Sequence, residues 1–312
     1  MVLIRIGVLF GLCFALISPT TSFLHTPTQT SATHKCGVRN VDGVGFLVYG
    51  QAEGHLEFGE FPWMVAIFKK VRVHDDDINV YECGGSLIHP SVVLTSARCL
   101  LNKTAEEMAV RVGEWDTQTK REVFEHQDRQ VSEIVMHSSY DRSKYANSVA
   151  LLFLSEPAEL METVDTICLP PVEQHIGLPR CFASGWGKDV AGEHGKYQVV
   201  LKKLELPIVA RDKCQEKLRT TPLGREFVLH SSLICAGGEE GRNMCEGDAG
   251  SPLVCPIPGT FNRFYQAGIV VGGYGCGENE VPVLYTNVAL FREWIEGQLT
   301  QRKIVHSYFN YS

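Results

Sequence analysis

The chain has 312 residues and 11 cysteines, and its 36 acidic against 29 basic side chains leave a net charge of −7 at pH 7. That balance disfavours nucleic-acid or heparin partners, which are held through a basic excess. Beyond Ser22 no apolar run approaches the roughly 20 residues of a membrane helix, so no membrane span is expected.

The chain opens MVLIRIGVLFGLCFALISPTTS, where Arg5 precedes an apolar run from Ile6 to Ile17 and small residues follow to Ser22. This is the pattern of a secretory signal peptide over residues 1–22, and it predicts a secreted, extracellular protein. Its removal takes Cys13 away and leaves an even number of cysteines in an oxidising compartment, so disulfides are expected. No CxxC or HExxH spacing supports a metal, and no cofactor is implied. Residues 23–46, beginning FLHTPTQTSATHK, have little to bury and read as a short leader tethered through Cys36.

From Phe61 onward the texture changes to short apolar runs. WMVAIF, SLIHPSVVLTSA, MAVRVG, RQVSEIVMH, SVALLFL, KKLELPIV, SPLVC, YQAGIVV and VPVLYTNV are strand-length, rich in β-branched residues and separated by Gly, Pro, Asp and Ser. They predict an all-β sandwich or barrel. ARDKCQEKLR, Ala210 to Arg219, predicts a short polar-faced helix. Asn287 is placed to cap a terminal helix with Val288, Phe291, Ile295 and Leu299 on one face, followed by a tail over residues 300–312.

The segments ECGGSLIHPSVVLTSARC, SVALLFL, CFASGWG, LICAGG, CEGDAGSPLVC and AGIVVGGYGCG resemble, in order and spacing, those of the chymotrypsin and trypsin family of serine proteases, from about Leu47 to Leu299. The resemblance implies two perpendicular six-stranded antiparallel β-barrels, a cleft between them and a C-terminal helix. It also implies the cysteine pairing: Cys36 with Cys168, Cys83 with Cys99, Cys181 with Cys255, Cys214 with Cys235, and Cys245 with Cys276. Closing the Cys83–Cys99 loop stabilises by about 3 kcal/mol in the chain-entropy picture.

Acyl transfer by this family needs a hydroxyl nucleophile, an imidazole base, a carboxylate that orients it, and amide donors for the oxyanion. By position, the resemblance puts Arg98 of TSARC at the imidazole, Ser148 of SVALL at the carboxylate and Ala249 of GDAG at the nucleophile. A guanidinium has no lone pair to offer as a base, and Ala249 has no reactive atom. Only the amides of Gly247 and Ala249 are left for an oxyanion. Ser251 is the one nearby hydroxyl, expected to point away from the cleft as the chain leaves the turn, while His89, His126 and His137 read as ordinary surface or satisfied histidines.

The substrate pocket is altered too. The resemblance places Asn243 where trypsin-like enzymes carry a floor aspartate, and Val283 where a glycine keeps the pocket open. Val271 and Gly272 stand in place of a Ser-Trp wall, and Gly273 is retained as an edge where an extended peptide could add. Activation would require a basic residue before an Ile-Val-Gly-Gly-like terminus whose amine pairs with Asp248. Phe46 followed by Leu47-Val48-Tyr49-Gly50 does not supply it. A buried Asp248 must therefore find another donor or stay solvated.

CGVRN, FGEFPWMVAI, GEWDTQT, GKYQVVLKKLELPIV and RDKCQEKLRTTPLG are similar to the arthropod clip-domain, masquerade-like serine protease homologues, although the leader before Cys36 is too short for a clip module. This implies a secreted non-catalytic partner, cofactor or regulator in an extracellular protease cascade, such as prophenoloxidase activation in melanisation and immunity. Its partners would be proteases, inhibitors, prophenoloxidase-type zymogens or microbial surfaces. An active hydrolase with unconventional residues and an inert relic or decoy are the alternatives. Asn102 in NKT is a candidate glycan site, with Asn310 in NYS a poorer one. Glu114, Asp116, Glu122 and Glu125 read as a solvated acidic loop, with a calcium loop as the alternative.

Overall fold

The computed structural model describes residues 34–45, 54–74, 76–119, 122–172, 174–190, 192–241, 244–274 and 280–311. The signal peptide, most of the leader, the Phe46 to Gly50 junction, Asn243 and Cys276 lie outside these residues.

Twelve strands among the described residues close into two antiparallel barrels. The first contains β1 (Met64–Val73), β2 (Asp76–His89), β3 (Val92–Thr95), β4 (Met108–Val112), β5 (Gln127–Met136) and β6 (Ala150–Leu154). They run in the order β1-β2-β3-β6-β5-β4, and β4 returns to β1 through pairs such as Ile67 with Val110. The second contains β7 (Arg180–Gly185), β8 (Lys202–Val209), β9 (Leu233–Gly237), β10 (Pro252–Pro256), β11 (Phe264–Gly272) and β12 (Pro282–Asn287), and β7 closes it by pairing Ala183 with Leu253. Closure leaves no long unpaired edge, which is how many short apolar strands coexist without aggregating.

Alternation along each strand sends one set of side chains into its own barrel and the other outward. Val65, Ile67, Leu87, Val93, Val110 and Leu152 fill the first barrel, and Ala183, Leu206, Leu253, Ala267, Val270 and Tyr285 fill the second. A third cluster belongs to both: Met64, Ala66, Leu94 and Leu151 of the first barrel meet Val254 and Ile269 of the second around Trp63 and Phe264. The barrels thus share one apolar layer.

The sequence runs recover most of the strands, with SLIHPSVVLTSA divided at Pro90 between β2 and β3. They miss β7 and β9, whose apolar stretches are short and end in glycine. The helix α1 (Arg211–Leu218) forms as expected. At the C-terminus a 3-10 turn over Val288–Phe291 leads into α2 (Arg292–Gln301), and Asn287 makes no side-chain capping bond. Val288, Phe291, Ile295 and Leu299 still fall on one buried face. The tail after α2 is docked: Phe309 is fully buried beneath the Arg292 guanidinium at 4.6 Å, and Tyr311 donates to Gln174 Oε1 at 2.7 Å.

Four of the expected disulfides are formed, Cys36–Cys168, Cys83–Cys99, Cys181–Cys255 and Cys214–Cys235. Cys245 is also disulfide-bonded, and its expected partner Cys276 lies outside the described residues.

Candidate functional site

The fold brings Arg98, Ser148 and Ala249 to one place. Arg98 sits in a 3-10 turn, Ala97–Leu100, that follows β3 and is fastened to β2 by Cys83–Cys99. Ser148, just before β6, is fully buried; its Oγ shares a 2.7 Å hydrogen bond with Ser96 Oγ and accepts the Arg98 amide at 3.2 Å. The two serines satisfy each other and anchor the main chain of Arg98. Ala249 comes from the turn before β10. Its carbonyl accepts the Gly84 amide at 2.9 Å, one residue from Cys83.

The Arg98 side chain leaves this anchor and crosses to the other barrel, where Nη1 donates to the Val271 carbonyl at 2.9 Å. Gly272 is the reason it fits. A Cβ built there would lie 2.6 Å from Arg98 Nη1, so any side chain would displace the guanidinium. Arg98 and Gly272, remote from each other in the sequence, are one complementary pair in space. Beside them Val283 is buried, and its Cγ2 lies 3.3 Å from the vacant Cβ position of Gly273.

Ser251 is fully buried with its Oγ lodged against Gly84 and Gly185, and among the described residues that oxygen has no hydrogen-bond partner. His89 accepts the Ser91 amide at 3.0 Å, and burial pushes its imidazole down to about 4. His137 accepts the Ser139 amide at 3.2 Å and packs on Phe291 and Trp294; burial lowers it as well. His126 lies 3.4 Å from Glu114.

The acidic loop differs from the expected solvated one. Glu114 is buried because partners surround it: Oε1 accepts the Trp115 amide at 2.9 Å and Oε2 accepts Arg111 Nη1 at 3.0 Å. Glu125 stays exposed. Asn102 is exposed on a turn with φ of 57°.

Asp248 has found its donor within the chain. Its carboxylate is fully buried, with Oδ1 accepting the Gly187 amide and Oδ2 the Cys245 amide, both at 2.8 Å. Lys202 Nζ sits 2.6 Å from Oδ2 and donates also to the carbonyls of Gly187 at 3.2 Å and Lys188 at 3.0 Å. An ammonium has three N–H donors, and all three find acceptors here. Gly187 of the SGWG segment makes the room, since a Cβ there would lie 2.4 Å from Asp248 Cγ. Sequence reasoning missed Lys202, yet a signal was present: in KKLELPIV it shares the period-2 face of Leu204, Leu206 and Ile208, so a cation stands in an apolar register.

A family model described as Trypsin matches residues 55–295. The sequence is 49% identical over 291 residues to phenoloxidase-activating factor 2 of Galleria mellonella, covering 91% of this chain and 95% of that protein. It is 35% identical over 297 residues to inactive CLIP domain-containing serine protease A28 of Anopheles gambiae, covering 93% of this chain and 74% of that protein. Protein masquerade of Drosophila melanogaster is 36% identical over 252 residues, 80% of this chain and 22% of masquerade.

Proposed function

Because the chain belongs to the trypsin family of serine proteases, and the resemblance assigns that family's chemistry to the positions of Arg98, Ser148 and Ala249, we propose that it is a secreted, non-catalytic member acting as a binding partner, cofactor or regulator in an extracellular protease cascade. The observation that carries this reading is the convergence of Arg98, Ser148 and Ala249. A base without a lone pair, no orienting carboxylate and no nucleophilic atom leave acyl transfer no first step. Ser251 cannot substitute from a buried position.

Val283 packed under Gly273 argues further against a substrate side chain in the neighbouring pocket. The names of the relatives, a phenoloxidase-activating factor and an inactive CLIP-domain protease, favour the phenoloxidase cascade of melanisation and immunity as the setting. Proteases, their inhibitors, prophenoloxidase-type zymogens and microbial surfaces are the partner classes that such a role would use, and Asn102 would carry a glycan on the exposed turn.

Two measurements test the reading. A fluorophosphonate serine probe applied to the purified mature chain should give no labelling, and stoichiometric labelling would sink the non-catalytic reading. Depleting the chain from its native extracellular fluid should lower phenoloxidase activation, and adding back the purified protein should restore it. Unchanged activation after depletion would remove the cascade role.

A further inference from the structure

The second barrel carries a hollow that none of Arg98, Ser148 and Ala249 borders. It is an open-mouthed cavity of about 710 Å³, bounded by the loop before β7, the end of β8, the segment leading into β9 and the end of β12. Pockets that take small molecules measure roughly 300–1,000 Å³ and are mostly apolar with a few polar groups. Here Ile176, Ile208, Leu229, Leu233 and Leu290 supply the apolar wall. Leu178 and Leu290, 67% and 46% exposed, keep apolar surface uncovered at its mouth.

The walls are braced from several sides. Cys214–Cys235 ties α1 to β9, and β9 pairs with β12 through Leu233 and Thr286. Arg211 Nη1 donates to the Leu233 carbonyl at 3.2 Å and Nη2 donates to that of Leu229, which fixes the segment before β9 against the start of α1. The loop before β7 is held at both ends. Gln174 donates its amide to Pro171 O at 3.2 Å and accepts the Tyr311 hydroxyl at 2.7 Å, while the Ile208 amide donates to Pro179 O at 3.0 Å. A cavity formed in advance loses little order when it is filled.

Two polar features set the chemistry of the ligand. Arg211 is the one Lys or Arg lining the cavity among the described residues, both of its Nη atoms are committed to carbonyls, and no carboxylate lines it. A charged ligand would therefore leave water without a partner, which is costly. Asn287 is the opposite case. It borders the cavity, its Oδ1 is sealed from solvent, and neither Oδ1 nor Nδ2 has a hydrogen-bond partner among the described residues. With Oδ1 sealed, the free donor within a ligand's reach is Nδ2. We propose that this cavity binds a neutral apolar alcohol, whose hydroxyl oxygen accepts from Asn287 Nδ2 while its hydrocarbon body covers Ile208, Leu233 and Leu290. The site does not depend on the non-catalytic reading, and its test is separate from that one.

The test is fluorescence titration of the full mature chain with N-phenyl-1-naphthylamine, a neutral apolar dye that brightens out of water. Displacement by 1-octanol and by octanoate follows, at about pH 8 so that the carboxylate is ionised. The dye should bind one site with a Kd below about 100 μM, and 1-octanol should displace it at least about tenfold more effectively than octanoate. Val209→Trp, which fills the cavity from the end of β8, should weaken dye binding at least about tenfold. Leu290→Trp fills it from the half-exposed mouth and should do the same, so a folding failure of the first variant, read by thermal unfolding, does not decide the matter. Asn287→Leu should weaken 1-octanol about fivefold, the worth of one hydrogen bond. Phe261→Ser, which removes an exposed aromatic that does not line the cavity, should change nothing. No saturable dye binding, binding that survives both tryptophan variants, octanoate matching 1-octanol, or unchanged 1-octanol displacement in Asn287→Leu would each overturn the proposal. Dimerisation in sedimentation velocity that Leu290→Trp abolishes would overturn the small molecule in favour of a second copy of the chain.

Discussion

Lys202→Met is the most informative single change to this scaffold. The side chain is 10% exposed and its ammonium meets Asp248 Oδ2 at 2.6 Å, while Asp248 is fully buried. Methionine is close in volume, so packing is largely kept and the charge alone is lost. The carboxylate then retains only the amides of Gly187 and Cys245. Removing one partner of a buried ion pair costs about 3–5 kcal/mol because the other charge is stranded. At roughly 2 °C per kcal/mol for a chain of this size, the melting temperature should fall by about 6–10 °C. Scanning calorimetry at neutral pH reads this directly. The double variant Lys202→Met with Asp248→Asn should recover most of the loss, because no charge is left unpaired. A single variant melting within about 1 °C of the wild type, or a double variant no better than the single, would refute the account of Asp248 as a charge held by Lys202.

The pair also removes any need for a freed N-terminal amine, so N-terminal sequencing of the native mature protein should find no chain beginning at Leu47; such a chain would contradict the expectation from the Phe46 junction. Burial holds the His89 imidazole at about 4, below the roughly 6.5 of an unfolded histidine. The unfolded chain therefore binds the extra proton between those values, and stability present above pH 6.5 should be lost as pH falls towards 4. His89→Gln should flatten that part of the pH profile, measured by urea unfolding, and an unchanged slope would show that His89 is not responsible. Introducing Arg98→His, Ser148→Asp and Ala249→Ser together should leave hydrolysis of a lysine or arginine peptide ester at background, the outcome that the proposal of a substrate pocket filled by the buried Val283 requires. Turnover about a hundredfold above background would refute the blocked-pocket reading.

Much of the architecture was legible in the chain itself, because the physics that decides it is local and repetitive. Strand-length β-branched runs broken by Gly and Pro predicted an all-β molecule, and the motif order around CGGSL, SGWG and GDAGSP carried the two barrels and four cystine pairs now seen. The proposed loss of chemistry was read from the chain alone, since the resemblance assigns catalytic roles to the positions of Arg98, Ser148 and Ala249, and none of these side chains carries the atom such a role requires. β7 and β9 were not legible, as strands that end in glycine and rely on partners carry little signal of their own. The docking of Phe309 was hidden likewise, because a tail with one apolar anchor does not announce what it packs against.

Tertiary structure alone decided which remote residues became partners. Lys202 and Asp248 are 46 positions apart by their numbers and become partners only when β8 and the turn before β10 face each other across β7. Arg98 and Gly272 come from different barrels, and a missing side chain on one makes room for a long side chain on the other. Residue identity determines which reactions a chain can perform, since that depends on the atoms it carries. Which charges are neutralised and which donors are left free depends on distances of a few ångströms between remote segments, and those exist only in the folded molecule.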